Sequence, residues 1–350
     1  MVGNSRVILL AVACVSAVLT TGCSEKKPVQ TAATAPATQA AHDSEWMKAK
    51  YGPWGGPGVE AAPGPMDSIA LKDYAPKPSV VVPETLVPKA RHAAIDVHAH
   101  VNAETPEEVA EWVRTMDEVG IETTVVLTEA TGAEFEKLVG MYLKPYPGRF
   151  QLYCGLETAG TDQPDYPQRA VAELVRCYRL GARGVGELSD KGWGLTGDRQ
   201  LPRDRRLHPD DARLDAFWKK CAELRLPVNL HVADHPSCWK PLDVYQERTP
   251  EYQHFNQVGK DVPSYEELIA MRNRTLAKHP GTVFIACHLG NQGHDMGALG
   301  KELDRYPNLY LDISARDYEI GRTPKAAVKF LTKYKDRVMF GTDMGRRKAM

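Results

Sequence analysis

Two histidines one residue apart, His98 and His100, close the short apolar run Ala94-Ile95-Asp96-Val97-His98-Ala99-His100. Side chains alternate faces along a strand, so Asp96, His98 and His100 are expected on one face and Ile95, Val97 and Ala99 on the other. Two imidazoles at a strand end can begin a metal site. Four more polar groups end apolar runs further along: Glu187 in GVGEL, His231 in PVNLHV, His288 in TVFIACH and Asp343 in RVMFGTD. A charged or imidazole group in such a place needs a partner to offset its loss of water. Period-two counting sets Glu187 with Val185, His231 with Asn229, His288 with Ala286 and Asp343 with Gly341. Imidazole nitrogen and carboxylate oxygen together suit zinc, manganese or iron. The absence of thiolates among the six favours a catalytic site over a closed structural one.

The elements that must position these groups follow Arg91, where short apolar runs alternate with helical segments. The runs are 94–100, 123–127, 150–156, 184–188, 227–232, 282–288, 309–313 and 337–343. Helices are expected over 105–119, 133–143, 165–180, 210–224, 264–278, 296–305 and 324–333, the first capped by Thr105 with Pro106, Glu107 and Glu108 in its opening turn. Eight strands with crossovers of this length make a parallel sheet, and the count fits an α/β (β/α)8 TIM barrel. A doubly wound sheet has less support, because no GxGxxG follows the first strand. In a barrel the C-terminal strand ends meet at one mouth, which would gather all six groups. Only seven residues follow Asp343, so the last helix is expected to be missing. Truncation is favoured over a cover supplied by residues 46–90, and an exposed apolar seam between the eighth and first strands would follow.

Composition bounds the rest. The 350-residue chain has a formal net charge of −1, with 43% hydrophobic and 25% charged residues, a globular composition with no general affinity for nucleic acid. Arg6 precedes an apolar run from Val7 to Leu19, the length of a secretory h-region rather than of a membrane span. Leu19-Thr20-Thr21-Gly22-Cys23 then resembles a bacterial lipobox, although Thr20 stands where an aliphatic residue is preferred. Residues 1–22 are therefore expected to be a signal peptide of the lipoprotein type, with lipidation on Cys23 and an exported, membrane-anchored protein at the periplasm or cell surface. Ten of the 25 prolines lie between Pro28 and Pro88. Residues 23–45 read as a disordered linker, 46–92 as a Pro/Gly-rich arm, and 93–350 as the barrel. The remaining cysteines, Cys154, Cys177, Cys221, Cys238 and Cys287, form no CxxC pattern and are expected to be buried apolar residues.

The segments IDVHAH (95–100), PVNLHV (227–232), FIACHLG (284–290) and VMFGTDM (338–344) resemble the amidohydrolase superfamily of metal-dependent hydrolases. Within it they are closest to the amidohydrolase-related branch, which also holds aminocarboxymuconate-semialdehyde-type decarboxylases. The resemblance implies that His98, His100, His231 and Asp343 are metal ligands, and that His288 either binds a second ion or polarises the substrate. Glu187 looks like the strand-four glutamate that bridges two ions in binuclear members, which one-metal decarboxylase-like members generally do without; it is expected either to bridge or to be an acid hydrogen-bonded at the barrel rim. One or two ions are thus expected, zinc first and manganese or iron as alternatives.

The chemistry follows from those parts. A metal acidifies water, Asp343 takes the proton and returns it to the leaving group, and His288 stabilises the oxyanion, which would hydrolyse an amide, lactone or ester of a small molecule. Decarboxylation of a small organic acid is the alternative reading, and a non-catalytic surface lipoprotein that binds a ligand is the third. Lys191, Trp193, His235 and Arg316 follow strand ends and are expected to touch substrate, Arg316 by pairing with a carboxylate. A homodimer stays open.

Overall fold

The computed structural model describes residues 86–241 and 255–345 with scattered positions between 68 and 77. The leader, Cys23, the linker, most of the arm and the last five residues lie outside the described residues. Residues 15–86 form a separate unit from the one considered below. Among the described residues no helix is long and apolar enough to cross a membrane.

Eight strands, β1 (Ala94–Ala99), β2 (Ile121–Leu127), β3 (Phe150–Cys154), β4 (Gly184–Asp190), β5 (Val228–Val232), β6 (Phe284–Ala286), β7 (Leu309–Asp312) and β8 (Val338–Met339), pair in chain order. Every pairing is parallel. The ring closes between the last strand and the first. Val97 N–H donates to Phe340 O at 3.0 Å, Asp343 N–H to His98 O at 2.7 Å, and His100 N–H to Met344 O at 2.7 Å. With a helix between most consecutive strands, this is the (β/α)8 barrel expected from the alternation.

The helices are α1 (Pro106–Val119), α2 (Gly132–Leu138), α3 (Tyr166–Leu180), α4 (Asp215–Leu224), α5 (Tyr265–Lys278), α6 (Met296–Arg305), α7 (Asp317–Arg322) and α8 (Pro324–Lys333). Helix α1 shows why these segments fold locally. The Thr105 side chain accepts from Glu108 N–H while Glu108 accepts from Thr105 N–H, Pro106 occupies the first turn, and Gly120 ends the helix in the left-handed region at φ 83°. Its inner face buries Val109, Trp112 and Met116. Trp112, Tyr142 and Phe150 then meet edge to face, with centroids 5.0–6.0 Å apart. On the far side Trp218 packs on Phe217 and Phe284 and donates its indole N–H to Pro209 O. All five cysteines of the barrel are buried and unbridged.

Three expectations change in detail. The segment expected as one helix over 133–143 is α-helical only to Leu138 and continues as a π turn, Val139–Leu143. Helix α7 has no counterpart in the sequence reading, since its six residues are too few to show a period. Strict alternation also fails at two strands. In β1 the four residues from Asp96 to Ala99 oppose three in β2, Thr124 to Val126, and in β4 the four from Val185 to Leu188 oppose the three from Val228 to Leu230. Each extra residue is a bulge, which shifts the side chains beyond it to the other face. Hence Asp96 does not share a face with His98, nor Glu187 with Val185, as period-two counting required.

Candidate metal centre

Both bulges lie where chemistry is carried. At β4, Gly186 adopts φ 142° and its α-carbon approaches β5 so closely that a Cβ would stand 2.7 Å from Asn229 Cβ. Only glycine fits, and the next residue, Glu187, is aimed into the mouth. At the closing seam a Cβ on Gly341 would meet His98 Cβ at 2.8 Å, so the chain of Asp343 can lie against β1. Among the described residues seven of the eight non-glycine positions with positive φ lie just past strand ends: Glu129, Ala233, His288, Leu289, Asn291, Ala315 and Asp343. Such backbone costs of order 1 kcal/mol each and clusters at functional sites.

Glu187 is the hub. Its Oε1 lies 3.0 Å from His231 Nδ1, 3.3 Å from His288 Nε2 and 3.7 Å from His98 Nε2, while Oε2 lies 3.6 Å from His100 Nε2. Asp343 Oδ1 faces the same gap, 3.4 Å from His98 Nε2 and 3.2 Å from His100 Nε2. The structure therefore brings together all six strand-end groups singled out in the sequence.

The outer nitrogens decide what these rings can do. His98 Nδ1 sits 3.0 Å from Asp312 Oδ2, His288 Nδ1 is 2.9 Å from Ser314 O, and His231 Nε2 is 3.1 Å from Asp234 Oδ1. Each partner is an acceptor, so each of those nitrogens carries a proton, and in the neutral ring the opposite nitrogen would present a lone pair to the centre. His100 Nδ1 has Glu129 Oε1 at 3.5 Å. Three inner nitrogens thus converge on two carboxylates, and His231 Nδ1 lies within hydrogen-bond distance of Glu187 Oε1. His98 Nε2 is fully buried and makes no hydrogen bond. A buried pocket lined by carboxylates and imidazole nitrogens is charge-matched either by protons on the rings or by a cation between them.

Charge states follow from the same contacts: burial opposes charge on His100 and His231, yet Asp343 and Glu187 raise the pKa of His100, and Glu187 and Asp234 that of His231. Burial works to raise the pKa of Glu187, but His231, His288 and His98 hold it well below the usual carboxylate range. Burial opposes ionisation of Asp343 as well, and the nearby His100 and His98 rings override it and depress its pKa. Asp312 is held down at about 2 by His98 in spite of complete burial. Burial opposes charge on His98, yet Asp312 raises its pKa well above the imidazole value. His288 goes the other way, because burial outweighs Glu187 and keeps the ring neutral.

Three sets of possible ligand atoms lie within 4.8 Å of one another: His98, His100 and Glu187; Glu187, His231 and His288; and His98, His288 and Asp312. The first two share Glu187. In the third, Asp312 is already spent, since it accepts from His98 Nδ1–H, His288 N–H, Ser314 N–H and the Ser314 hydroxyl. The residues present therefore fit one or two divalent cations held by nitrogen and carboxylate oxygen. Asp96 braces the seam from beneath. Its carboxylate accepts from His98 N–H at 3.1 Å, Thr342 N–H at 3.0 Å and the Thr342 hydroxyl at 2.6 Å.

The four residues expected to touch substrate have mixed surroundings. Lys191 Nζ pairs with Asp234 Oδ1 at 3.0 Å, at the edge of the centre. The Trp193 ring is stacked under Arg206, 4.5 Å away, with Arg199 at 5.7 Å. His235 Nδ1 bonds Ser237 and caps the turn Pro236–Trp239. Arg316 is buried, bonded to Asn291 Oδ1 at 2.5 Å and set against Glu319 at 3.6 Å. Asp312 and Glu129 were not singled out from sequence. Asp312 had a signal, because it stands near the end of the run 309–313 as the others do in theirs. Glu129 had none, since it is itself in a left-handed turn that no local pattern announces.

The amidohydrolase family model matches residues 95–344. Comparison with curated proteins returns no match. Among solved structures the chain is similar to a 2,6-dihydroxybenzoate decarboxylase from Rhizobium, with 20% identity over 72% of this chain and 88% of that one and a TM-score of 0.46. A dihydroxybenzoic acid decarboxylase from a Polaromonas species, solved with manganese and 2-nitroresorcinol, gives 21% identity over 72% and 86%, with a TM-score of 0.46. A 4-oxalomesaconate hydratase from Rhodopseudomonas palustris gives 15% over 72% and 82%, again with a TM-score of 0.46. The substrates of these proteins are their own.

Proposed function

Since the chain belongs to the amidohydrolase family, matched across residues 95–344, we propose that it is a metal-dependent hydrolase acting on an amide, lactone or ester of a small molecule. The observation that carries this reading is the division of one carboxylate. Glu187 turns Oε1 towards His231 and His288 and Oε2 towards His100, so a single side chain serves two adjacent groups of nitrogen donors. In the first position His98, His100 and Asp343 would be the ligands; in the second, His231 and His288; and Glu187 would bridge them. Zinc is the proposed ion, with manganese and iron suited to the same donors.

A divalent ion bound there would supply a Lewis acid and acidify water. The chain's own residues do the rest. Asp343, ionised and half open to solvent at the seam, is placed to accept a proton from water and return it to the leaving group. The Nδ1 proton of His288 is committed to Ser314 and burial keeps the ring neutral, so its inner nitrogen has no proton to give. We therefore read His288 as a ligand rather than as a hydrogen-bond donor to an oxyanion. Arg316 is anchored by Asn291 and Glu319, a posture that would present its remaining donors to a substrate acid.

Export and lipid attachment at Cys23 are proposed on the leader alone, and loss of fatty-acid label in Cys23→Ala, against wild-type incorporation, tests them.

The test of the catalytic reading is direct. Zinc- or manganese-loaded protein is incubated with lactones, amides, esters and aromatic acids, and titratable acid is followed beside carbon dioxide. Acid release from a lactone, amide or ester, absent in Asp343→Asn, is expected. Carbon dioxide from an organic acid without hydrolysis would replace the reading by decarboxylation. Protein that takes up neither metal would point to a binding role.

A further inference from the structure

One ion pair at the rim of the centre is not explained by the fold. Ala233, at φ 61°, turns the chain back after β5 so that Asp234 returns its carboxylate to the ring of His231. Asp234 Oδ1 accepts from His231 Nε2–H at 3.1 Å and from Lys191 Nζ at 3.0 Å. Asp234 Oδ2 is buried and makes no hydrogen bond, so the hold on this carboxylate passes through one oxygen. Lys191 follows Asp190, the last residue of β4, which pairs with Val232 of β5. The Lys191 ammonium also lies 4.2 Å above the ring of Phe255. Lys191, Asp234, His231 and Glu187 form one unbroken line of contacts from the loop to the hub.

We propose that Lys191 is a positioning residue: it anchors Asp234, and Asp234 fixes the His231 ring with Nε2–H outward and the Nδ1 lone pair facing Glu187. This rests on the reading above that His231 is a ligand. A carboxylate gripped at a single oxygen can swing about that contact, and the lysine removes the freedom by pinning the same atom from a second direction. A histidine whose outer nitrogen is held in this way binds metal in one ring orientation, and losing such a partner typically weakens binding 10–100-fold. The lysine therefore acts on the ion through two side chains without touching it.

Calorimetric titration of the metal-free full chain with zinc tests this in wild type, His231→Asn, Asp234→Asn, Lys191→Met and Lys191→Arg. Wild type is expected to show two binding events and His231→Asn to lose one of them. Lys191→Met and Asp234→Asn are expected to weaken that same event about 10–100-fold and leave the other unchanged. Lys191→Arg, which keeps the cation, should restore most of the affinity. In the loaded enzyme kcat should fall in Lys191→Met with KM little changed, and the metal-free melting temperature should stay at the wild-type value. If His231→Asn removes an event while Lys191→Met keeps both at wild-type affinity, the inference is wrong and the metal reading stands. Raised KM with unchanged kcat in Lys191→Met would make the lysine a substrate contact and overturn it equally. Two intact events in His231→Asn would overturn the ligand reading and this inference together.

Discussion

Two buried polar clusters sit close together in this barrel and are built on opposite terms. Behind β6, Arg272 donates to Gly290 O, Gln292 Oε1, Asn273 Oδ1 and Glu302, and Glu302 accepts in turn from Asn273 and Gln292. Donors there face acceptors, and the one cation has a carboxylate partner. At the mouth, Glu187 and Asp343 are crowded by four imidazole rings, and His98 Nε2 has no hydrogen bond at all. The first cluster is complete within the protein. The second leaves a buried nitrogen unpartnered at a place a cation would fill, which separates a polar group kept for folding from one suited to chemistry.

The largest expected effect breaks the mouth. Asp343→Asn keeps the shape and removes the proton acceptor, so kcat should fall about 10²–10⁴-fold, the usual worth of a general base, with the melting temperature of the metal-free protein near wild type. Stopped assays of hydrolysis beside thermal melts check both halves.

Next comes the closed cluster. Arg272→Met strands the Glu302 carboxylate and should cost about 3–5 kcal/mol in denaturant unfolding, whereas Arg272→Met with Glu302→Leu should recover most of the loss. Neither change should alter zinc affinity. A cheap Arg272→Met would erase the contrast between the clusters.

Glu187→Gln sharpens it from the other side. The amide supplies a donor to the waiting nitrogens, so the metal-free protein should melt at or above the wild-type temperature while bound metal drops from two equivalents to one, as read by melting curves and elemental analysis. Destabilisation of the metal-free form would mean that the mouth is satisfied without a cation.

The smallest effect belongs to a pair near the surface. Arg176 holds Glu173 down at about 2, with burial opposing. A carboxylate lowered in the folded state stabilises above its ordinary pKa and loses that contribution as pH falls through the folded value. Glu173→Gln should thus cost about 1 kcal/mol or less at neutral pH and nothing near pH 2, measured by urea unfolding at both.

Much of this was legible along the chain. Thr105, Pro106 and Glu108 mark the start of α1 because capping is decided within four residues. The rule that polar groups ending apolar runs need partners finds His98, His100, Glu187, His231, His288 and Asp343, and applied to 309–313 it would also have found Asp312. It could not rank the candidates for substrate contact. Arg316 emerges buried and bonded to Asn291, and Trp193 under Arg206, because those contacts depend on loops that pack against one another rather than on local pattern.

The sequence by itself determined the barrel and the kind of atoms at its mouth, since strand and helix periods and residue types are local properties. Only the tertiary structure decided how those atoms face. The bulges at Val97–His98 and Gly186–Glu187 arise from pairing with the neighbouring strands and overturn simple alternation. The proton on each imidazole is placed by a partner that can be far away in the chain, as Asp312 is from His98, 214 residues apart. Contacts between distant segments exist only once the barrel has closed, and those contacts turn a set of histidines and acids into a site for a cation.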